Sequence, residues 1–289
     1  MVVKDYDCST DNKYLQKKAP KLWLYVNLTD ICPASCPFCV NPGKKRGNSS
    51  FDRIVFRKTL EIVSEHIYGI SFTGGEPMLD PESLDAAISI AADVMGDTVE
   101  IDTVTNGINL ERFLSFDSLE SLYSIHISRH MIQDEDNQRL MGIETPTMAE
   151  IQSFVAKIPD PARIVLNCIL QKDGVSCREQ AAEYLEMASE AGIKNVSFIG
   201  LIVANRYCSD QYVDPLSMHF EEDLRFRVWN QFHDHEFCSC SSGDYKARNG
   251  WIRYYYRMPG AEGASYTRQL VYTADNKLLS GFGGTEILL

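Results

Sequence analysis

The chain has 289 residues, 44% of them hydrophobic and 24% charged, with a formal net charge of −12. These values suit a globular protein with a sizeable core, and the acidity argues against a nucleic-acid partner, which would need a basic face. No apolar run nears the roughly 18 residues of a membrane-spanning helix, and the charged start MVVKDYDCSTDNKYLQKKAP lacks the apolar stretch of a secretory signal; a cytoplasmic location is expected.

Residues 1–20 read as an N-terminal segment. From residue 21 onward, short β-type runs alternate with longer amphipathic stretches. The predicted strands are LWLYVNL (22–28), YGISFT (68–73), VEIDTVT (99–105), YSIHIS (123–128), RIVLNCIL (163–170) and NVSFIG (195–200). Between them, apolar residues three and four apart predict helices over 51–66, 81–95, 147–158 and 176–192, the last with Ser176 and Gly192 as caps. Strands and helices alternating at this length imply parallel βαβ units. Six of them give an α/β fold, a partial (β/α)6 TIM-like barrel over residues 21–205, open rather than closed eight-fold. After Gly200 the rhythm breaks. Residues 206–289 read as a C-terminal extension and substrate lid, with a helix over 221–232 and short strands at 251–257 and 266–280, the last turning at Ala274–Lys277.

The chemistry concentrates in the cysteines. There are nine, and three fall within eight residues of the loop after the first predicted strand, TDICPASCPFCV. Closely spaced thiols in a reducing compartment read as metal ligands or catalysts before disulfides. Cys32, Cys36 and Cys39 have the spacing C-x3-C-x2-C, and thiolates are the ligands that iron–sulfur clusters require. Three of them wrap one corner of a cubane and leave the fourth iron open to a small-molecule chelator. Structural zinc wants four ligands, commonly two CxxC pairs, and no second pair lies nearby. A redox CxxC would leave Cys32 idle. In parallel α/β folds ligands bind beyond the C-terminal ends of the strands, where this loop belongs.

That spacing resembles the signature of the radical S-adenosylmethionine (SAM) superfamily, and further motifs follow in the family's order. Phe38, before Cys39, corresponds to the aromatic that packs near the adenine. Gly74-Gly75-Glu76-Pro77 resembles the GGEP motif, whose backbone and acid receive the methionine amino group; paired glycines permit close backbone approach and a carboxylate suits an ammonium. Taken alone, GGEP is also an ordinary strand-to-helix turn. Thr105-Asn106-Gly107 is similar to the TNG turn. Ser128, Asn167 and Ile199 stand at strand ends where the family contacts the cofactor, and Arg139 where relatives carry an arginine beside its carboxylate. Strand parity agrees: Ser124, His126 and Ser128 share one face of their strand, while Cys168 points opposite to Asn167 and reads as a packing residue.

Within the superfamily the nearest resemblance is to the GTP 3′,8-cyclase group of molybdenum-cofactor biosynthesis, carried by LNCILQKDGVSCREQ, NVSFIG, YYRMPGAEG and LVYTADNKLLSG. In that group cysteines flanking the last segment hold a second cluster; here those stretches read GASYTRQ and SGFGG, without cysteine. Cys238 and Cys240, with His233, His235 and Cys208, are a possible second metal site, for zinc or a shifted cluster; a polar loop is the plainer reading. Arg129 and His130 stand where relatives have acidic and hydrophobic residues, which marks either a different substrate or a solvated loop.

The resemblance implies a [4Fe–4S] cluster whose open iron is chelated by SAM, and reductive cleavage to a 5′-deoxyadenosyl radical that abstracts hydrogen. Electrons would come from flavodoxin or ferredoxin; Lys44-Lys45-Arg46 suits docking of such an acidic donor or an anionic substrate, or is simply a solvated loop. Three functions compete: a small-molecule enzyme acting on a nucleotide, sugar or natural-product intermediate; a peptide-modifying enzyme; and a non-catalytic iron–sulfur protein, which leaves GGEP and TNG unexplained. The group acting on the substrate radical is not identified by sequence.

Overall fold

A computed structural model of the chain describes residues 22–39, 51–96, 99–214, 218, 224–228, 241–257, 269–281 and 284–287. In chain order the strands and helices are β1 (Leu22–Thr29), α1 (Arg53–Val63), β2 (Ile67–Gly74), α2 (Pro81–Met95), β3 (Glu100–Thr105), β4 (Ser124–Ser128), α3 (Asp134–Met141), α4 (Met148–Val155), β5 (Ile164–Ile169), α5 (Arg178–Glu190), β6 (Asn195–Ile199), α6 (Arg206–Gln211), β7 (Phe226–Val228), β8 (Ser241–Ala247), β9 (Gly250–Arg257), β10 (Gln269–Tyr272), β11 (Leu278–Leu279) and β12 (Glu286–Ile287). The described residues form two compact units, one from 22–33, 51–125 and 269–287, the other from 34–39 and 126–257.

In the first unit β1 lies between β2 and β10, parallel to both, and β2 continues parallel to β3. The strands hold because one face is apolar and covered. Leu24, Val26, Ile70 and Phe72 are fully buried, as are Phe56 and Leu60 of α1 and Leu84 and Ile88 of α2. Asp52 caps α1 through its carboxylate, which accepts from the backbone of Ile54 and Val55. Asp80 caps α2 in the same way, with Pro81 in the first turn.

In the second unit β5 runs parallel to β6, and β6 parallel to β9, while β7, β8 and β9 form an antiparallel meander. A capping box between Thr147 and Glu150 starts α4. Gly192, at φ 81, ends the α5 segment, and the next N–H reaches back to Ala188 O. The start of α5 differs from expectation: its N-cap is Cys177, and Ser176 instead bonds to Gln180. An aromatic stack fills the core. Phe198 is fully buried, stacked on Tyr256 at 5.3 Å between centroids and edge-on to Tyr184 at 5.7 Å. Phe198→Ala is expected to cost about 3–5 kcal/mol, read as a lower urea midpoint; a change within error would show that the stack carries no such weight.

Two expectations change in the C-terminal part. The helix foreseen at 221–232 is, where described, strand β7: Phe226 is buried while its neighbours Arg225 and Arg227 are exposed, as in a strand that pairs with Gly243–Tyr245. The segment read as an extension also divides between the units, supplying β7–β9 beside β6 and β10–β12 beside β1. Cys238, Cys240, His233, His235 and Lys44–Arg46 lie outside the described residues. Among the described residues no helix is long and apolar enough to cross a membrane.

Candidate functional site

The cysteine loop follows β1, and its two parts are anchored in different units. The first part, through Cys32, is held by the end of β2. Gly75 N donates to Thr29 O at 2.6 Å and Glu76 N to Ile31 O at 2.8 Å. Gly74 sits at φ 117, a conformation that L side chains rarely adopt. A Cβ on Gly75 would overlap the Ile31 carbonyl and lie 2.7 Å from its nitrogen. The paired glycines, expected to admit a ligand, therefore first admit the chain that leads into Cys32.

Glu76 is 2% exposed, and its carboxylate collects three donors: Thr105 Oγ1 at 2.6 Å, Asn106 N at 2.7 Å and Met78 N at 2.9 Å. Pro77 follows, buried at the start of a short 3-10 turn. Asn106, in turn, places its side-chain amide 4.0 Å from Cys32 Sγ. The sequence-predicted Gly74, Gly75, Glu76, Thr105, Asn106 and Cys32 thus form one bonded network. Beside it, buried Asn27 Oδ1 has no hydrogen-bond partner.

Burial pushes the Glu76 carboxyl up to about 7 from its ordinary 4.5, against the pull of its three donors. Between those two values the folded chain holds more protons than the unfolded one, so this contribution to stability is full below pH 4.5 and is lost as pH rises through 7. Urea unfolding of the metal-free protein should therefore show lower stability at pH 7.5 than at pH 5. In Glu76→Gln that component should vanish; an unchanged slope would refute it.

The second part of the loop, from Ala34, is seated in the other unit. Ser35 N donates to Met141 O at 2.8 Å, at the end of α3, where Gly142 (φ 68) leaves room for the Ser35 hydroxyl. Asn205 Nδ2 donates to Pro37 O at 2.9 Å, and Cys39 N closes a turn onto Cys36 O at 3.1 Å. Phe38 is buried with Leu201 and Cys208, flanked by Cys36, Leu140, Ile169 and Tyr207, and its ring meets His130 edge-on at 4.8 Å.

On β5, Asn167 Oδ1 pairs with His126 Nδ1 at 3.0 Å. Burial, helped by the Arg257 charge, holds His126 down at about 3, so it is neutral and Nδ1 donates. Burial also keeps His130 near 3, with Nδ1 accepting from Ile169 N at 3.2 Å. Ser197, opposite Asn167 in register, is fully buried with its hydroxyl unpartnered. Ser128 and Ile199 are half-buried at their strand ends. Cys168 is fully buried, its thiol pushed up by burial, as suits a packing residue. Arg139 is exposed on α3 and pairs with Asp136 of its own helix. Arg129, which by sequence marks either a different substrate or a solvated loop, is buried and paired with Asp134 at 2.8 Å, which removes the solvated-loop alternative. The role of His126 escaped the sequence reading, although strand parity had already placed it on the face of Ser128.

None of Cys32, Cys36 and Cys39 is in a disulfide; the first two are half-buried and the third is exposed. Among the described residues no three His, Cys, Asp or Glu side chains gather as a metal group. The family model described as "Radical SAM superfamily" matches residues 26–206, more than half of the chain. The chain belongs to the radical SAM superfamily. It is 24% identical over 182 residues to the PqqA peptide cyclase of Gluconobacter oxydans (strain 621H), covering 62% of this chain and 49% of that protein. It is 30% identical over 124 residues to the GTP 3′,8-cyclase of Aquifex aeolicus (strain VF5), covering 41% of this chain and 38% of that one. The chain thus spans at most about half the length of these relatives. Among solved structures it resembles Streptococcus suis SuiB bound to S-adenosylmethionine, with TM-score 0.58 and 14% identity over 92% of this chain and 63% of that one. That likeness is one of fold, and matches the mixed α/β, partial-barrel class expected from the sequence.

The family implies a [4Fe–4S] cluster and SAM. The residues present fit both groups. Three cysteines on one loop, none of them in a disulfide, have the chemistry that cluster ligands need, and an amide donor faces one of them. The buried acceptors Glu76 and Asn27 suit an ammonium group.

Proposed function

We propose that Cys32, Cys36 and Cys39 hold a [4Fe–4S] cluster and that this enzyme cleaves SAM reductively there, acting on a small-molecule substrate. The observation that carries the reading is the bonded network from Cys32 through Asn106 to Glu76, which ties the first cysteine to the ends of β2 and β3. When bound, the cluster and SAM supply a 5′-deoxyadenosyl radical that takes hydrogen from a substrate. The chain's own groups bind and orient. Asn27 Oδ1, the Gly74–Gly75 backbone and the free lone pair of Glu76 receive the methionine ammonium. Ser128 and Asn167 contact the cofactor, and Phe38 and Ile199 contact its adenine. Because His126 Nδ1 occupies Asn167 Oδ1, the Asn167 amino group is left to donate. Arg139, exposed and turned to Asp136, reaches a cofactor carboxylate only by leaving that pair. Thr105 acts one step back, through Glu76. Flavodoxin or ferredoxin serves as electron donor.

A peptide substrate is the second reading, favoured by the longer match to the PqqA peptide cyclase, 182 residues against 124 for the GTP 3′,8-cyclase. Anaerobic reconstitution with iron and sulfide, followed by SAM and dithionite, tests the shared core. Iron near four per chain and release of 5′-deoxyadenosine are expected; fully loaded protein that releases none overturns the reading. Nucleoside triphosphates and peptide pools, each offered with SAM deuterium-free and substrate deuterated, separate the two classes by which one transfers deuterium to 5′-deoxyadenosine.

A further inference from the structure

We propose that the side-chain amide of Asn106 donates a hydrogen bond to the ligating sulfur of Cys32 and thereby raises the reduction potential of the cluster. The inference rests on the reading that Cys32 is a cluster ligand, and concerns how readily that cluster takes its electron. Asn106 Nδ2 lies 4.0 Å from Cys32 Sγ, within reach of an N–H···S bond. Which end of the amide faces the sulfur is decided locally: Oδ1 is taken by Ile108 N at 3.0 Å, so the amino group is turned to Cys32. The backbone of the same residue is pinned by Glu76 Oε2 at 2.7 Å, and Glu76 is itself held by Thr105 and Met78. Gly107, at φ 90, turns the chain so that its N–H returns to Thr105 Oγ1 at 3.0 Å. Asn106 is 5% exposed, so water competes little for its donor.

The physical consequence follows from charge. The oxidised cluster takes one electron from the donor, dithionite in the experiment, and no bond or proton need move. The added electron places more negative charge on the thiolate sulfurs, so an N–H aimed at one of them stabilises the reduced state more than the oxidised state. A low-dielectric setting strengthens that difference. Asn106 is in this account a positioning and tuning residue, reached by Glu76 and Thr105 from the ends of two strands.

The test compares reconstituted wild type with Asn106→Ala and with the uncharged, near-isosteric Asn106→Leu, which keeps the volume and removes the donor. EPR-monitored dithionite titration reads the midpoint directly. In each variant the ratio of reduced to oxidised cluster at a fixed potential should fall about tenfold, a shift of about 59 mV for a one-electron couple. Fully loaded variants with the wild-type midpoint overturn the proposal. If both variants fail to hold iron, pulsed EPR of the reduced wild type carrying 15N-asparagine decides: a 15N coupling supports the bond and its absence overturns it. Wild type that binds no iron removes the cluster reading and this inference together, whereas iron binding with 5′-deoxyadenosine release and an unshifted midpoint removes this inference alone.

Discussion

Replacing Cys36 with alanine is expected to lower 5′-deoxyadenosine formation about a thousandfold or more, because a member of a unit that acts together cannot be removed singly. The loss should not come from unfolding. Cys36 is only half-buried, at the edge of the Phe38–Leu201–Cys208 cluster, so its thiol contributes at most about 1 kcal/mol of burial. The loop around it keeps its anchors, Ser35 to Met141 and Asn205 to Pro37. Iron content should fall with activity while the urea midpoint stays near wild type. Cys208→Ala is the informative contrast. Cys208 is fully buried in the same cluster, so its loss should cost stability by about 1–2 kcal/mol and leave iron loading intact. Wild-type 5′-deoxyadenosine release from C36A would remove the cluster assignment.

Gly75→Ala should be the most damaging single methyl in the first unit. Its Cβ would meet backbone, the carbonyl and nitrogen of Ile31, rather than the end of a side chain that can swing away. Two hydrogen bonds lie at that point, Gly75 N to Thr29 O and Glu76 N to Ile31 O, and relief of the overlap breaks one or both. A cost of about 3 kcal/mol or more is expected, together with reduced iron occupancy, since the displaced residues lead directly into Cys32. Gly96→Ala provides the scale. Gly96 has a positive φ of 62 but open space around its Cβ position, so strain alone should cost about 1–2 kcal/mol. If the two variants unfold at the same urea concentration, the steric account of Gly75 is wrong.

Much of the site could be read from the chain because its signals are local. Six strands were placed to within about two residues at each end, since apolar alternation and flanking turns depend on neighbours alone. The spacing of Cys32, Cys36 and Cys39 is likewise covalent. The helix expected at 221–232 became β7 because pairing with β8, some fifteen residues on, outweighed an ambiguous local pattern. Helix α3 passed unnoticed: its first turn, Asp134-Glu135-Asp136, is acidic and suits a helix start, but eight residues with few apolar positions give little periodicity.

The part played by individual residues was less legible. Glu76 and Thr105 belong to separate motifs 29 residues apart, and only the folded first unit shows that the acid faces inward to Thr105 and Asn106. By sequence His130 marks either a different substrate or a solvated loop; in the fold it packs on Phe38 and accepts from Ile169 N. Arg129 carries the same two readings, and it is almost completely buried and paired with Asp134.

By itself, the sequence determined the superfamily, the α/β rhythm and the C-x3-C-x2-C spacing of the three proposed sulfur ligands, because thiol chemistry and strand periodicity are written into adjacent residues. Tertiary structure alone decided that Gly75 must be glycine on account of Ile31, that Glu76 is buried and bonded rather than open, and that Asn106 aims its amide at Cys32. Those outcomes depend on which backbone atoms meet across dozens of residues, and close packing leaves no room to exchange one arrangement for another.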